Sequence, residues 1–141
     1  MIYLSEENKR DIEAFGEQSY PYECGGMLIG TLNDDGTKTV IETFPLENSS
    51  TEDQTIRVLI LPKDVLRAER YARSIKLEVI GYYHSHPEDF AVPSQYDLDH
   101  ALPVWSYIIV SVLDGKAVDI RSWVMENDRS KFNEENLGTR E

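Results

Sequence analysis

His84-Ser85-His86-Pro87, followed after a short loop by Pro93-Ser94-Gln95-Tyr96-Asp97, sets two imidazoles and a carboxylate at a spacing that can close around one metal ion. Two histidines and a carboxylate form a catalytic zinc ligand set, with one coordination position left for water. The residues leading in, Leu77-Glu78-Val79-Ile80-Gly81-Tyr82-Tyr83, are largely apolar, β-branched or aromatic and predict a strand. Strand side chains alternate faces, so His84 and His86 point the same way. Pro87 cannot donate to a ladder and marks the strand end, which puts both histidines at a sheet terminus where loops converge.

The same residues also have a metal-free reading. A His-x-His pair alone is as readily a half-exposed strand pair, and Ser94-x-x-Asp97 has the form of a helix capping box with Ser94 as N-cap. The two readings are compatible, because a capping serine can fix the helix that presents Asp97. His-x-His-Pro, a proline-framed loop and Ser-x-x-Asp within one short segment together favour the metal.

This arrangement resembles the JAMM, or MPN-plus, metalloprotease family. The family signature is an upstream glutamate, His-x-His and an aspartate after ten intervening residues, the separation at which His86 and Asp97 stand. The bacterial branch also carries Pro-x-Glu-Cys-Gly-Gly, matched by Pro21-Tyr22-Glu23-Cys24-Gly25-Gly26. The resemblance runs over roughly residues 1–125 and no member of the signature is missing. It implies that His84, His86 and Asp97 bind Zn2+, that Glu23 takes the proton from the zinc-bound water, and that Ser94 helps hold the oxyanion. The fold it implies is α/β, a mixed curved β-sheet flanked by helices, akin to the cytidine-deaminase-like architecture.

The activity implied is hydrolysis of a peptide or isopeptide bond at the C-terminal tail of a ubiquitin-like protein. Short single-domain bacterial relatives act on sulfur-carrier proteins, and this chain's length leaves little room for ubiquitin-binding insertions, so the sulfur carrier is the favoured substrate. A flexible Gly-Gly tail suits such a site, since it can extend beside an exposed strand without side-chain clashes. The loop 47–55 is the expected wall of that groove.

Neighbouring residues have plainer readings. Without the motif, Glu23 beside a Pro-Tyr turn would be a solvated surface residue. Cys24, the single cysteine, reads as a small core residue at a strand start. His100 lies three residues past Asp97 on the same helical face and reads as a surface or supporting group, because a fourth protein ligand would leave no place for water. Glu88, Asp89 and Asp99 read as solvent-facing.

Composition bounds the rest. At 141 residues and 40% hydrophobic content the chain suits one core, with residues 1–125 as the catalytic domain and 126–141 as a polar tail or final element. A net charge of −12 disfavours nucleic acid and anionic membranes. Lys63, Arg67, Arg70, Arg73 and Lys76 fit one solvated side of a helix. The absence of a long apolar run, the lack of a basic-then-apolar start and the lone cysteine lead to the expectation of a cytoplasmic protein.

The elements that must position the site follow from local signals. Ser5 is an N-cap candidate, and Pro21 ends the first helix. Strands at 26–32 and 37–44 are joined by Asn33-Asp34-Asp35-Gly36, and strands at 105–113 and 117–125 by Asp114-Gly115-Lys116, both hairpin signals. A strand is expected at 55–61, and Pro62 opens a second helix offering Val65, Leu66, Ala72 and Ile75 to the sheet. Ile108, Val110, Val112, Val118, Ile120 and Trp123 are the expected core of the last hairpin.

Three other functions compete. A non-catalytic MPN scaffold would serve assembly, but such relatives typically lose ligands that are all present here. A nucleobase deaminase calls for His-x-Glu and Pro-Cys-x-x-Cys, and this chain has neither. DNA-associated proteins share a similar histidine motif, against which the acidic balance weighs.

Overall fold

Ser5 and Asn8 begin the first helix by capping each other. The Ser5 hydroxyl accepts the Asn8 backbone N–H at 3.0 Å, and the Asn8 side chain accepts the Ser5 N–H at 3.3 Å. The computed structural model describes residues 1–140. It comprises β1 (Ile2–Ser5), α1 (Glu6–Ser19), β2 (Gly25–Leu32), β3 (Lys38–Leu46), α2 (Pro62–Ser74), β4 (Glu78–Pro87), α3 (Gln95–His100), β5 (Ser106–Leu113), β6 (Lys116–Met125), β7 (Phe132–Glu135) and β8 (Leu137–Arg140).

All eight strands form one mixed, curved sheet in the order β7-β6-β5-β4-β2-β3-β1-β8. The two hairpins read from the sequence are present as antiparallel β2/β3 and β5/β6. Positive φ at Asp114 and Gly115 gives the second its tight turn. The outermost strands, β7 and β8, are consecutive and separated only by Asn136. One extended segment therefore pairs with β6 by its first half and with β1 by its second, drawing the sheet into a nearly closed barrel. Glu141 of the tail lies outside the described residues.

The core is split by the sheet. On one face Ile12 of α1 packs with Ile2, Leu28, Val40, Ile108 and Val110, all 0% exposed. Gly16 lets α1 lie close, since a Cβ there would meet Val112 at 3.1 Å and Val110 at 3.2 Å. On the other face α2 packs through Ala68 onto Met27 and Leu46. A further buried network crosses from β3 to β5, β6 and β7. Lys38 Nζ donates to Ser106 Oγ at 2.8 Å, and the hydroxyls of Ser106 and Ser122 donate to Glu135 at 2.7 and 2.9 Å.

The strand expected at 55–61 is absent; residues 54–56 form a turn and 57–61 run on without a ladder. Its β-branched composition carries the strand signal, but a turn onto the Asp53 carbonyl bends its start and the loop at Asn48 and Ser49 takes up the Leu59 N–H and carbonyl, so it joins no ladder. On α2 the buried positions are Ala68 and Ala72, whereas Leu66 and Ile75 are exposed, because the helix rests its small residues on the sheet. Val118 is 56% exposed, since β6 has only intermittent cover on that side. Among the described residues no helix is long and apolar enough to cross a membrane.

Candidate metal centre

The two histidines owe their direction to an irregularity in β4. Against β2 the register passes from Leu28↔Gly81 to Ile29↔Val79, leaving Ile80 as the extra residue of a bulge. Val79 packs on the α2 side and Ile80 on the α1 side, and after the bulge Tyr82 again faces the α2 side while Tyr83 faces α1. His84 and His86, in step with Tyr82, emerge on the α2 face. Gly81 is required at the bulge, where a Cβ would stand 2.2 Å from the Ser106 carbonyl oxygen.

Ser85, between the histidines, faces the opposite way and fixes the neighbouring chain. Its hydroxyl accepts the Cys24 N–H at 2.9 Å and its own N–H donates to the Cys24 carbonyl at 3.0 Å. This seats Glu23 directly before β2. Glu23 is further held by its N–H to the Gln54 carbonyl at 2.7 Å and by Asn48 Nδ2 donating to its carbonyl at 3.0 Å. Ligand atoms of Glu23, His84 and His86 lie within 4.8 Å of one another, and all three residues are buried. Asp97 enters from α3. Its Oδ2 stands 3.3 Å from His84 Nε2 and 3.2 Å from His86 Nε2, and the two Nε2 atoms are 3.1 Å apart.

Electrostatics follow from this crowding. Burial would raise the Asp97 pKa, but the two imidazoles and the Ser94 N–H outweigh it and hold the carboxyl far below the usual range. Burial opposes protonation of His86, yet Asp97 and the Phe90 carbonyl raise its pKa. Glu23 behaves differently: burial dominates and pushes it up to about 6, against the nearby imidazoles.

Residues 5–126 match the family described as prokaryotic homologs of the JAB domain. The chain belongs to this family. A desampylase from Haloferax volcanii is 33% identical over 92 residues, a stretch that spans 64% of this chain and 63% of that relative. The solution structure of a protein from Desulfitobacterium hafniense superposes with a TM-score of 0.86 at 28% identity, covering 100% of this chain and 94% of that one. A JAB1/MPN domain protein from Archaeoglobus fulgidus, 19% identical and covered over 99% of both chains, shares the fold with a TM-score of 0.61.

The donor atoms of this JAB domain fit a divalent cation. Ligand atoms about 2.0–2.1 Å from a tetrahedral centre lie about 3.3 Å apart, close to the 3.1, 3.2 and 3.3 Å edges of the Nε2, Nε2, Oδ2 triangle. His86 Nδ1 is 2.9 Å from the Phe90 carbonyl, so the hydrogen-bond network assigns the proton to Nδ1 and leaves Nε2 with a bare lone pair. In neutral His86 that lone pair faces an ionised carboxylate, an arrangement that a proton or a metal cation between them relieves. His84 Nδ1 is buried and has no partner among the described residues. The His84 ring is held instead by Tyr82, stacked at 5.4 Å and 24°.

Two grooves reach the cluster. One, about 240 Å³ and apolar, is walled by Met27, Val58, Ile60, Tyr82 and Trp105. The other, about 150 Å³ and more polar, holds Glu23, Thr55, Arg57, Asp89 and Ser94. The groove walls come from residues 55–60, while the loop expected as the wall, 47–55, largely serves to clamp Glu23. His100 is exposed and stacks on Tyr96 at 4.1 Å, Cys24 is buried, and Glu88, Asp89 and Asp99 are exposed. Ser85, Tyr82, Arg57 and the Phe90 carbonyl were not singled out from the sequence. The odd-numbered parity of Ser85 between two inward histidines was the one available sign.

Proposed function

We propose that this JAB domain is a zinc-dependent peptidase or isopeptidase that hydrolyses a bond at the C-terminal tail of a ubiquitin-like protein, a sulfur carrier with a Gly-Gly tail being the favoured substrate. The observation that carries the reading is the convergence of buried Glu23 on the His84, His86 and Asp97 cluster. The desampylase similarity supports the class of substrate. In this reading residues 1–125 form the catalytic unit and the final strands close it.

His84, His86 and Asp97 would hold the ion, which when bound supplies Lewis-acid activation of water and of the scissile carbonyl. Glu23 accepts the water proton and returns it to the departing nitrogen. A carboxyl that burial pushes up to about 6 is suited to both transfers. Ser94 Oγ already accepts the Asp97 N–H at 3.1 Å, so its hydroxyl proton remains free to donate to the developing oxyanion.

The tail has a place to lie. Leu59 is bound to the neighbouring loop through its N–H to Asn48 Oδ1 at 3.1 Å and its carbonyl from the Ser49 N–H at 2.8 Å. Val58, Leu59 and Ile60 all line the apolar groove. A substrate strand laid there would run past the cluster. The test is incubation of the zinc-loaded chain with ubiquitin-like carriers bearing C-terminal adducts, with and without chelator, read by mass spectrometry. Chelator-sensitive release of the adduct is expected; zinc-loaded protein that leaves every adduct intact while still binding partner proteins would point to a scaffold.

A further inference from the structure

Glu23 lines only the polar groove; the apolar groove touches His84 and Asp97 without it. On the hydrolytic reading above, on which this inference rests, Glu23 delivers a proton to the departing nitrogen. The departing group therefore lies in the polar groove and the carrier tail in the apolar one.

Arg57 is the only Lys or Arg on the polar groove among the described residues. Its guanidinium sits 4.4 Å from the centroid of Tyr96, the residue preceding Asp97 on α3, so the cation is fixed to the helix that carries the site. It is poorly satisfied there. Nη1 donates to the Ile56 carbonyl at 3.0 Å, and the nearest carboxylate, Glu52, stands 3.6 Å from Nε with a side chain 71% exposed. A guanidinium has five N–H donors in a planar fork that matches a carboxylate bidentately, so most of its capacity is open to a ligand. The groove's 150 Å³ amounts to about five water volumes, the scale of one small amino acid.

We propose that Arg57 is a specificity residue that pairs with the α-carboxylate of a single amino acid joined through its amine to the tail's terminal carbonyl. The preferred bond is then the peptide bond to a one-residue C-terminal adduct, not a lysine isopeptide, whose departing methylene chain offers Arg57 no charge. Water contributes its hydroxyl to the carbonyl carbon, the C–N bond breaks and the nitrogen leaves protonated. The products are the tail carboxylate and a free amino acid.

The experiment uses the full chain loaded with Zn2+ and a Gly-Gly-tailed ubiquitin-like sulfur carrier extended by one alanine. The alanine is either a free acid or a carboxamide, and a third substrate carries a lysine isopeptide. Wild type is expected to favour the acid over the amide in kcat/KM by about 10-fold or more, mainly through KM. Arg57→Met should collapse that ratio toward one and Arg57→Lys should retain part of it. Each enzyme is its own reference, so the ratio does not depend on the fraction folded. A wild-type ratio near one, a ratio unchanged in Arg57→Met, or faster cleavage of the isopeptide overturns the assignment of Arg57 while leaving the hydrolase reading intact. Failure to cleave any of the three substrates overturns the hydrolase reading itself, and the Arg57 proposal with it.

Discussion

The Ser94 hydroxyl accepts the backbone N–H of Asp97 at 3.1 Å while the Asp97 carboxylate accepts the backbone N–H of Ser94 at 2.9 Å, so each residue fixes the other. The cap and the candidate ligand are one structure, with the same Asp97 oxygen turned to both histidines. Ser94→Ala is expected to lower the stability of the metal-free protein by about 1 kcal/mol and turnover by on the order of 10²-fold. It should spare zinc stoichiometry, because the Ser94 N–H still orients Asp97. Chemical denaturation, adduct-release kinetics and metal analysis check the three parts; loss of zinc in this variant would mean that the hydroxyl, not the backbone, positions Asp97.

Glu23, the proton carrier of the proposed reading, also ties stability to pH. Burial raises its folded pKa to about 6 from an ordinary 4.5, so the folded state disfavours the ionised form. The linkage sign is that metal-free protein loses stability as pH rises between those values, by about 2 kcal/mol in full. Glu23→Gln, which cannot ionise, should therefore be about 2 kcal/mol more stable than wild type at pH 7.5 and lose that advantage near pH 4. Urea unfolding at the two pH values measures it. The same substitution should keep zinc and reduce turnover by about 10²-fold or more.

Gly25 pairs with His84 in the β2/β4 ladder, and a Cβ added there would stand 2.5 Å from the Tyr82 hydroxyl. Tyr82 in turn supports the His84 ring, whose Nδ1 has no other hold among the described residues. Gly25→Ala is expected to weaken zinc binding about 10- to 100-fold, the usual cost of losing a group that orients a ligand. Competition against a chromophoric chelator gives the affinity; an unchanged value would show that Tyr82 does not position His84.

Lys38 is 6% exposed and reaches Glu135 through Ser106. Removing the carboxylate alone strands a buried ammonium, so Glu135→Leu should destabilise by about 3 kcal/mol or more. The double variant Lys38→Met with Glu135→Leu should recover much of the loss. Equilibrium unfolding of the four proteins in this cycle decides, and additive losses would indicate that the two charges act independently.

Much of the site was legible because its signals are short-range. Ser94-x-x-Asp97 fixes its own helix start, the alternation of a strand orients His84 with His86, and Asn33 to Gly36 turns the first hairpin. What sequence could not supply depends on pairing far along the chain. Residues 55–61 have strand composition, but the loop at 48–49 holds the Leu59 N–H and carbonyl, whereas the polar segments at 132–135 and 137–140 pair with β6 and β1. Leu66 and Ile75 have the hydrophobicity of core residues, yet α2 approaches through alanines because close packing on Met27 favours small side chains. Arg57 carried no motif; only the fold sets it beside Tyr96.

Asn136 has a topological consequence. The backbone crosses from one flank of the sheet to the other at that single residue, and the short strands on either side of it leave β3 beyond Thr39 and β6 before Ser122 without a strand partner on that side. Unpaired rims invite neighbouring chains to zip on, and on β3 the Val40 and Ile41 carbonyls are taken up by the side chains of Arg140 and Asn8. On the proposed reading, an incoming polypeptide seeking backbone partners beside the cluster meets the unladdered stretch at 55–60.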